Sequence, residues 1–270
     1  MLTLWTTQNQ GNHGGIAPTN IGSLDDPKPG QLRGDCPYPI FTLMPMSLPL
    51  YWRRTWQWGS GGTADPPAGF WAEILRRYGE PHRAYHTLSH LAQGWGWLEQ
   101  LPLAPGELFV VGLAWWCHDG IYDPGAAAGE NEAHSSQWAR PWLERGGLEP
   151  EQVARVMGLI RGTAHGLGHG PIAPQADPLL PWLLDVDLSI LGTDPQVFRV
   201  YEAQIRQEYG QFSLGEFSQG RSALVRQWLD RPYLYQTAFL RDRLEGAARE
   251  NLRGSLDRWS RVGEGGLELG

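Results

Sequence analysis

Glu107-Leu108-Phe109-Val110-Val111-Gly112-Leu113-Ala114-Trp115-Trp116-Cys117-His118-Asp119 is an almost unbroken apolar run that stops at an imidazole and a carboxylate. A helix that is apolar on every side must be surrounded by other elements. The stretch therefore predicts the central helix of a helical core. Delivering His118 and Asp119 at its end needs a reason, because a charge removed from water is costly unless it is paired or binds a metal. The pair reads first as two ligands of a site whose other members lie elsewhere in the chain, its competing reading on the dipeptide alone being a histidine that caps a buried helix beside a turn Asp.

Helical patterns flank this run on both sides. Upstream, Leu48, Trp52 and Trp56, and then Phe70, Ile74, Leu75 and Tyr78, recur at helical spacing around a Gly- and Pro-rich loop from Gly59 to Pro67. Thr87 to Leu98 aligns Leu88, Leu91, Trp95 and Leu98 in one stripe and His86, His90, Gln93 and Trp97 in the next, which puts both histidines on one helix face. Downstream, Glu130 to Leu143 and Pro150 to Ala164 read as helices, the second turning Val153, Val156, Met157 and Ile160 inward and ending before Gly166, Gly168, Gly170 and Pro171. Leu179 to Leu191 is a second strongly apolar helix, with Asp185 and Asp187 inside it. Asp194-Pro195 caps a helix carrying Val197, Phe198, Tyr201, Ile205 and Tyr209, and further helices run near Ser218 to Leu229 and Gln236 to Trp259.

No segment alternates as a strand would, and neither a fixed-period repeat nor a dividing linker is visible. The expected fold is all-α, a single helical domain over residues 46–260. Residues 1–45 are rich in Gly, Pro, Asn, Thr and Ser. They are expected to be disordered or, with Met44 and Met46 as alternative starts, an over-extended N-terminal segment. Residues 261–270 are expected to form a flexible tail.

The 270 residues are enough for a substantial core. A formal net charge of −7 argues against bulk nucleic-acid binding, although a local basic pocket for one phosphate is compatible with it. Cys36 and Cys117, in segments of different character, read as reduced thiols of a cytoplasmic protein rather than a disulfide. Met1 to Asn20 is polar and Gly-rich, without the basic and apolar regions of a signal peptide. Tyr38 to Tyr51 is broken by prolines and too short to span a bilayer, so no membrane association is expected.

The chemistry-bearing groups are His86 and His90, His118 with Asp119, and the Asp185/Asp187 pair. Two neutral imidazoles and two carboxylates balance one divalent cation of the Mn, Fe, Co, Ni, Zn or Mg type. Such a site keeps coordination positions open for water and a phosphate oxygen, as metal-assisted phosphoester hydrolysis requires. Residues two apart on a helix point about 200° apart, so only one of Asp185 and Asp187 is expected to face the ion.

The ordered pattern Glu80-Pro81-His82-Arg83-Ala84-Tyr85-His86-Thr87-Leu88-Ser89-His90, His118-Asp119-Gly120-Ile121-Tyr122-Asp123, Asn131-Glu132 and Leu184-Asp185-Val186-Asp187-Leu188-Ser189-Ile190-Leu191-Gly192 resembles the HD superfamily of metal-dependent phosphohydrolases. The resemblance covers roughly residues 47–259 and implies an all-α bundle. It also implies a metal held by a histidine of the first element, the His-Asp pair and a distal Asp. The His-x-x-x-His element is similar to that of cyclic-nucleotide phosphodiesterases, which implies His90 as the ligand and His86 as the general acid. The run from Asp187 to Gly192 resembles the family stretch that carries the ligand, so Asp187 is the implied fourth ligand, with Asp185 as runner-up.

The implied activity is hydrolysis of a phosphomonoester or phosphodiester in a small metabolite or nucleotide by metal-activated water. Glu132 is a candidate base or water positioner, its competing reading being a first-turn Glu favoured by the helix dipole. Arg83 and His165 are the candidate substrate-binding residues, with Arg161 and Arg221 as weaker phosphate clamps. His82, His134 and His169 read as bystanders, and Trp115 and Trp116 as core. Specificity is expected from the loops Gly120 to Gly129 and Gly166 to Asp177. Two competing readings are an HD-type dinuclear iron oxygenase, which would draw on His165 and His169, and a noncatalytic ligand-binding module stabilised by its metal.

Overall fold

A computed structural model describes residues 44–60, 65–166 and 176–263, and every regular element among them is helical. In chain order these are α1 (Met44–Ser60), α2 (Phe70–Tyr78), α3 (Leu88–Leu98), α4 (Pro105–Cys117), α5 (Glu130–Arg145), α6 (Pro150–Gly166) and α7 (Leu180–Asp187). A 3-10 helix (Leu188–Gly192) continues α7, followed by α8 (Pro195–Glu208), α9 (Leu214–Leu229) and α10 (Ala238–Gly263). The all-α expectation holds. No described helix is long and apolar enough to cross a membrane.

Helix α4 is central, as its composition demands. It packs against α1, α3, α5, α6 and α7, and every residue from Phe109 to Cys117 is buried. The two indoles at its end keep their polar tips satisfied inside the core. Trp115 Nε1 donates to the Leu91 carbonyl at 3.0 Å and Trp116 Nε1 to Thr55 Oγ1 at 2.8 Å. Helix α3 approaches closely because Gly94 faces the Trp115 ring, and a Cβ there would overlap the indole. Gly94→Ala is therefore expected to destabilise the fold by about 1–3 kcal/mol through overpacking, as read from denaturant unfolding.

The C-terminal half is built on α10. Leu240, Leu244, Ala248, Leu252 and Trp259 are buried along it at the period of one helix face, interleaved with buried Asn251 and Ser255. Helix α9 lies along this face and the 3-10 helix packs across it. A buried polar network ties α8, α9 and α10 together. Arg221 Nε donates to Glu202 Oε1 at 2.9 Å, while Ser255 Oγ and Trp259 Nε1 donate to Glu202 Oε2 at 2.6 and 2.7 Å. Arg221 is thus spent on the core and does not serve as a phosphate clamp.

Several boundaries differ from the periodicity reading, each for a local reason. Helix α3 starts at Leu88, because Thr87 is extended and its Oγ1 accepts the Ser89 N–H at 3.3 Å as N-cap. His86 therefore sits in the turn before the helix rather than on its face. Helix α7 tightens into a 3-10 turn after Asp187, short of the predicted end. Helix α9 starts earlier than predicted, where Ser213 and Glu216 form a capping box. Helix α1 already begins at Met44, inside the segment expected to be disordered, and α10 runs to Gly263, inside the expected tail. Residues 1–43 and 264–270, which hold the rest of those two segments, lie outside the described residues.

Candidate metal centre

Three helix ends meet beside the core. His118 is the C-cap residue of α4, His90 lies in the first turn of α3, and Asp187 is the last residue of α7. His90 and His118 are 3 % and 1 % exposed, so their rings are enclosed by protein. His118 stacks on Trp115 with centroids 4.7 Å apart, and its Nδ1–H donates to the Trp115 carbonyl at 2.8 Å. In the neutral ring that bond leaves the lone pair on Nε2. His90 Nδ1 lies 3.0 Å from the Tyr85 hydroxyl.

The Nε2 atoms of His90 and His118 are 3.3 Å apart, and Asp187 Oδ1 stands 3.3 Å from the first and 3.6 Å from the second. A point equidistant from the corners of such a triangle lies about 2 Å from each, the length of a zinc–nitrogen or zinc–oxygen bond. His90, His118 and Asp187 thus form a group that could hold a metal ion. Asp119 Oδ2 borders it, 2.9 Å from His118 Nε2 and 3.7 Å from His90 Nε2. The carboxylates are the more open side, with Asp187 and Asp119 side chains 13 % and 15 % exposed.

Charge in this cluster is shared. Burial works against ionisation of every member, yet Asp119 and Asp187 are held well below the usual carboxylate range by the facing histidines. His118 is correspondingly raised well above the usual histidine range by Asp119 and Asp187, despite its burial. His90, for which burial dominates, is lowered. A proton on His118 supplies the positive charge the two carboxylates demand. A divalent cation at the triangle would take over that task and release the proton.

His86 stands next to this group without joining the triangle, its Nε2 4.0 Å from Asp119 Oδ2. What holds it is Glu208, which the sequence reading missed. Glu208 Oε1 accepts the backbone N–H groups of Ala84, Tyr85 and His86 at 2.8, 2.8 and 2.9 Å. Its Oε2 accepts the His86 Nδ1–H at 2.7 Å and the Tyr122 hydroxyl at 2.9 Å. Burial opposes its charge, but His86 and these donors hold its pKa down at about 2. Burial likewise opposes a charged His86, and the carboxylates of Glu208 and Asp119 override it, so its pKa is raised. A signal was available: Glu208 lies three residues after Ile205, in phase with buried Phe198 and Tyr201.

Arg83 has a different task from the one expected. Its Nη1 donates to the carbonyls of His86 at 3.1 Å and Asp119 at 2.8 Å, and its Nη2 to that of Gly120 at 3.3 Å. Nε and Nη2 both reach Glu80 Oε2 at 3.1 Å. All five N–H bonds are engaged and the side chain is fully buried. A phosphate contact would require breaking them, so the guanidinium braces the His86 turn against the His-Asp corner.

Asp185 points away from the cluster, as two positions on one helix must. Its Oδ1 accepts the Gln236 N–H at 2.7 Å, and its Oδ2 accepts the Thr237 N–H at 2.7 Å and the Thr237 hydroxyl at 2.6 Å. Its carboxylate fastens the start of α10. Burial raises its pKa to about 6 against these donors. Asp185→Ala is expected to cost about 2 kcal/mol of stability through the orphaned buried donors, with metal content by elemental analysis unchanged.

Glu132 is half-buried in the first turn of α5, and its pKa is raised first by burial and further by Asp119. Its neighbour Asn131 clamps the loop from His118 by bonding both the N–H and the carbonyl of Asp123 at 2.9 Å. Ser135 does the same for Ile121 at 3.0 and 3.1 Å. His82 and His134 are exposed, while Arg161 is exposed on α6 with a 3.4 Å contact to Ser136 Oγ. The side chain of His165, His169 and most of the loop from Gly166 to Asp177 lie outside the described residues.

Comparison with protein-family models gives no match. Comparison with curated proteins likewise gives none.

Proposed function

We propose that the protein is a metal-dependent hydrolase of small phosphoesters of the HD type, with His86 as its general acid. The observation that carries this reading is the juxtaposition of two elements. One is a His90, His118 and Asp187 triangle of metal-binding size, and the other is an imidazole at the edge of that triangle whose Nδ1 is held by Glu208, which raises its pKa.

In this reading the cation rests on His90, His118 and Asp187, with Asp119 as the adjoining carboxylate. A cation held there supplies Lewis acidity toward a phosphoryl oxygen and lowers the pKa of water. The chain's own residues handle the protons. Glu132, whose raised pKa makes it the better base, accepts a proton from the attacking water on the α5 side. As the bond between phosphorus and the ester oxygen breaks, His86 donates its Nε2 proton to the leaving oxygen. Glu208 keeps the Nδ1 proton in place, so the imidazole gives up the other one. With Arg83 engaged inside the protein, compensation of the phosphate charge falls to the cation and His86.

The test is a substrate screen on purified protein loaded in turn with Mn²⁺, Co²⁺ and Zn²⁺, using phosphomonoesters, phosphodiesters and a nucleotide panel. Metal-dependent phosphate or alcohol release, abolished by a chelator and restored by the ion, is the expected result. Stoichiometric metal without turnover of any of these substrates would overturn the hydrolase reading.

A further inference from the structure

The two imidazoles of the triangle are held from behind by different kinds of group. Behind His118 is a backbone carbonyl, which can only accept, so Nδ1 keeps its proton and, once the ring is neutral, Nε2 carries the lone pair. Behind His90 is the hydroxyl of Tyr85, 3.0 Å from Nδ1, which can either accept or donate. Nε2 faces the acceptor Asp187 Oδ1 at 3.3 Å, so with Nε2 given over to a cation the Tyr85 hydroxyl is the group that would hold the His90 proton on Nδ1.

The surroundings fix that hydroxyl in position. Tyr85 is buried, its ring packs edge-on to Tyr201 at 4.6 Å and to His86 at 5.0 Å, and it lies against the His90 ring at 4.9 Å. Its backbone N–H is one of the three gripped by Glu208. We propose that Tyr85 is a positioning residue of the metal centre. Its hydroxyl oxygen accepts the Nδ1–H of His90 and so turns the Nε2 lone pair toward the ion. Groups that orient a ligating histidine from behind typically contribute about 10–100-fold to metal affinity. The proposal rests on the metal reading above.

The experiment compares the wild type with Tyr85→Phe and Tyr201→Phe. Tyr201→Phe removes a second buried hydroxyl from the same aromatic cluster, one that faces Arg221 instead of the triangle. Co²⁺ alone is titrated in and followed by its visible absorption, with helical circular dichroism as the check on folding. Tyr85→Phe should bind Co²⁺ about 10–100-fold more weakly and Tyr201→Phe as the wild type does. Equal affinity in the wild type and Tyr85→Phe, or equal losses in both variants, would overturn the role of Tyr85 while leaving the metal reading intact. A wild type that takes up no Co²⁺ would overturn both.

Nuclear magnetic resonance of the Zn²⁺-loaded wild type gives a readout that needs no variant to fold. A slowly exchanging Nδ1–H on His90 in contact with the Tyr85 ring is expected, and its absence would sink the proposal.

Discussion

If the proposed activity holds, a His86→Ala protein is expected to turn over a phosphoester substrate about 10²–10⁴-fold more slowly than the wild type, the usual range for loss of a positioned general acid. It should bind as much metal as the wild type, because His86 stands outside the triangle, 4.0 Å from its bordering Asp119. Steady-state kinetics with metal analysis on the same samples checks both halves. Full activity would remove His86 from the mechanism.

Glu208→Gln should reproduce much of this loss by a different route. An amide nitrogen in place of Oε2 would face the His86 Nδ1 with a donor, pushing the imidazole into its neutral form with the proton on Nε2. The pH profile separates the two variants. In the proposed mechanism the acid is the protonated imidazole, so the rate should fall as pH rises through its pKa. Glu208 and Asp119 raise that pKa, which should place the alkaline limb at higher pH than for an unperturbed histidine. With Glu208 neutralised the limb should move to lower pH. The sign of the stability linkage is the same: the contribution of His86 is complete below the unfolded histidine pKa and is lost as pH rises through the folded one.

The largest loss of stability is expected from Glu202→Leu. The substitution leaves the Arg221 guanidinium without its carboxylate partner at a site where both side chains are 2 % exposed. It also removes the acceptor of Ser255 Oγ and Trp259 Nε1. Breaking one side of such a buried pair costs about 3–5 kcal/mol, or about 10 °C in a domain of this size. Removing both charges together, in Glu202→Leu with Arg221→Met, should recover most of that loss, since well-packed apolar groups replace buried ion pairs at little cost. Thermal melts of the three proteins decide the matter. A Glu202→Leu protein as stable as the wild type would mean that the network is dispensable.

The helices were legible because their apolar stripes repeat over several turns. The run from Glu107 to Cys117 declared its burial without any contact information, and the buried carboxylates of α7 announced themselves by their company. Less visible was anything decided by a bond reaching far along the chain. Nothing near Asp185 reveals that Gln236 and Thr237 consume its oxygens, and the 200° rule could only say that one of the two aspartates turns away. Arg83 was misread for the same reason. Its charge suggested phosphate, whereas its donors go to carbonyls at His86, Asp119 and Gly120 that become neighbours only on folding. Glu208 carries no motif that singles it out, although its phase along α8 matches the apolar stripe. The helix start at Leu88 turned on one hydroxyl, that of Thr87, which periodicity does not weigh.

The grip of Glu208 on the His86 turn also has an order in time. The candidate metal-binding atoms all belong to residues up to Asp187, whereas the clamp closes over separations of 122 to 124 residues. Because chains are made from the N-terminus and distant contacts form late, a growing polypeptide holds every candidate ligand before it holds the residue that charges its acid. On the proposed reading, ion capture would precede competence for turnover during synthesis, and folding of the last turn of α8 would be the step that arms the site.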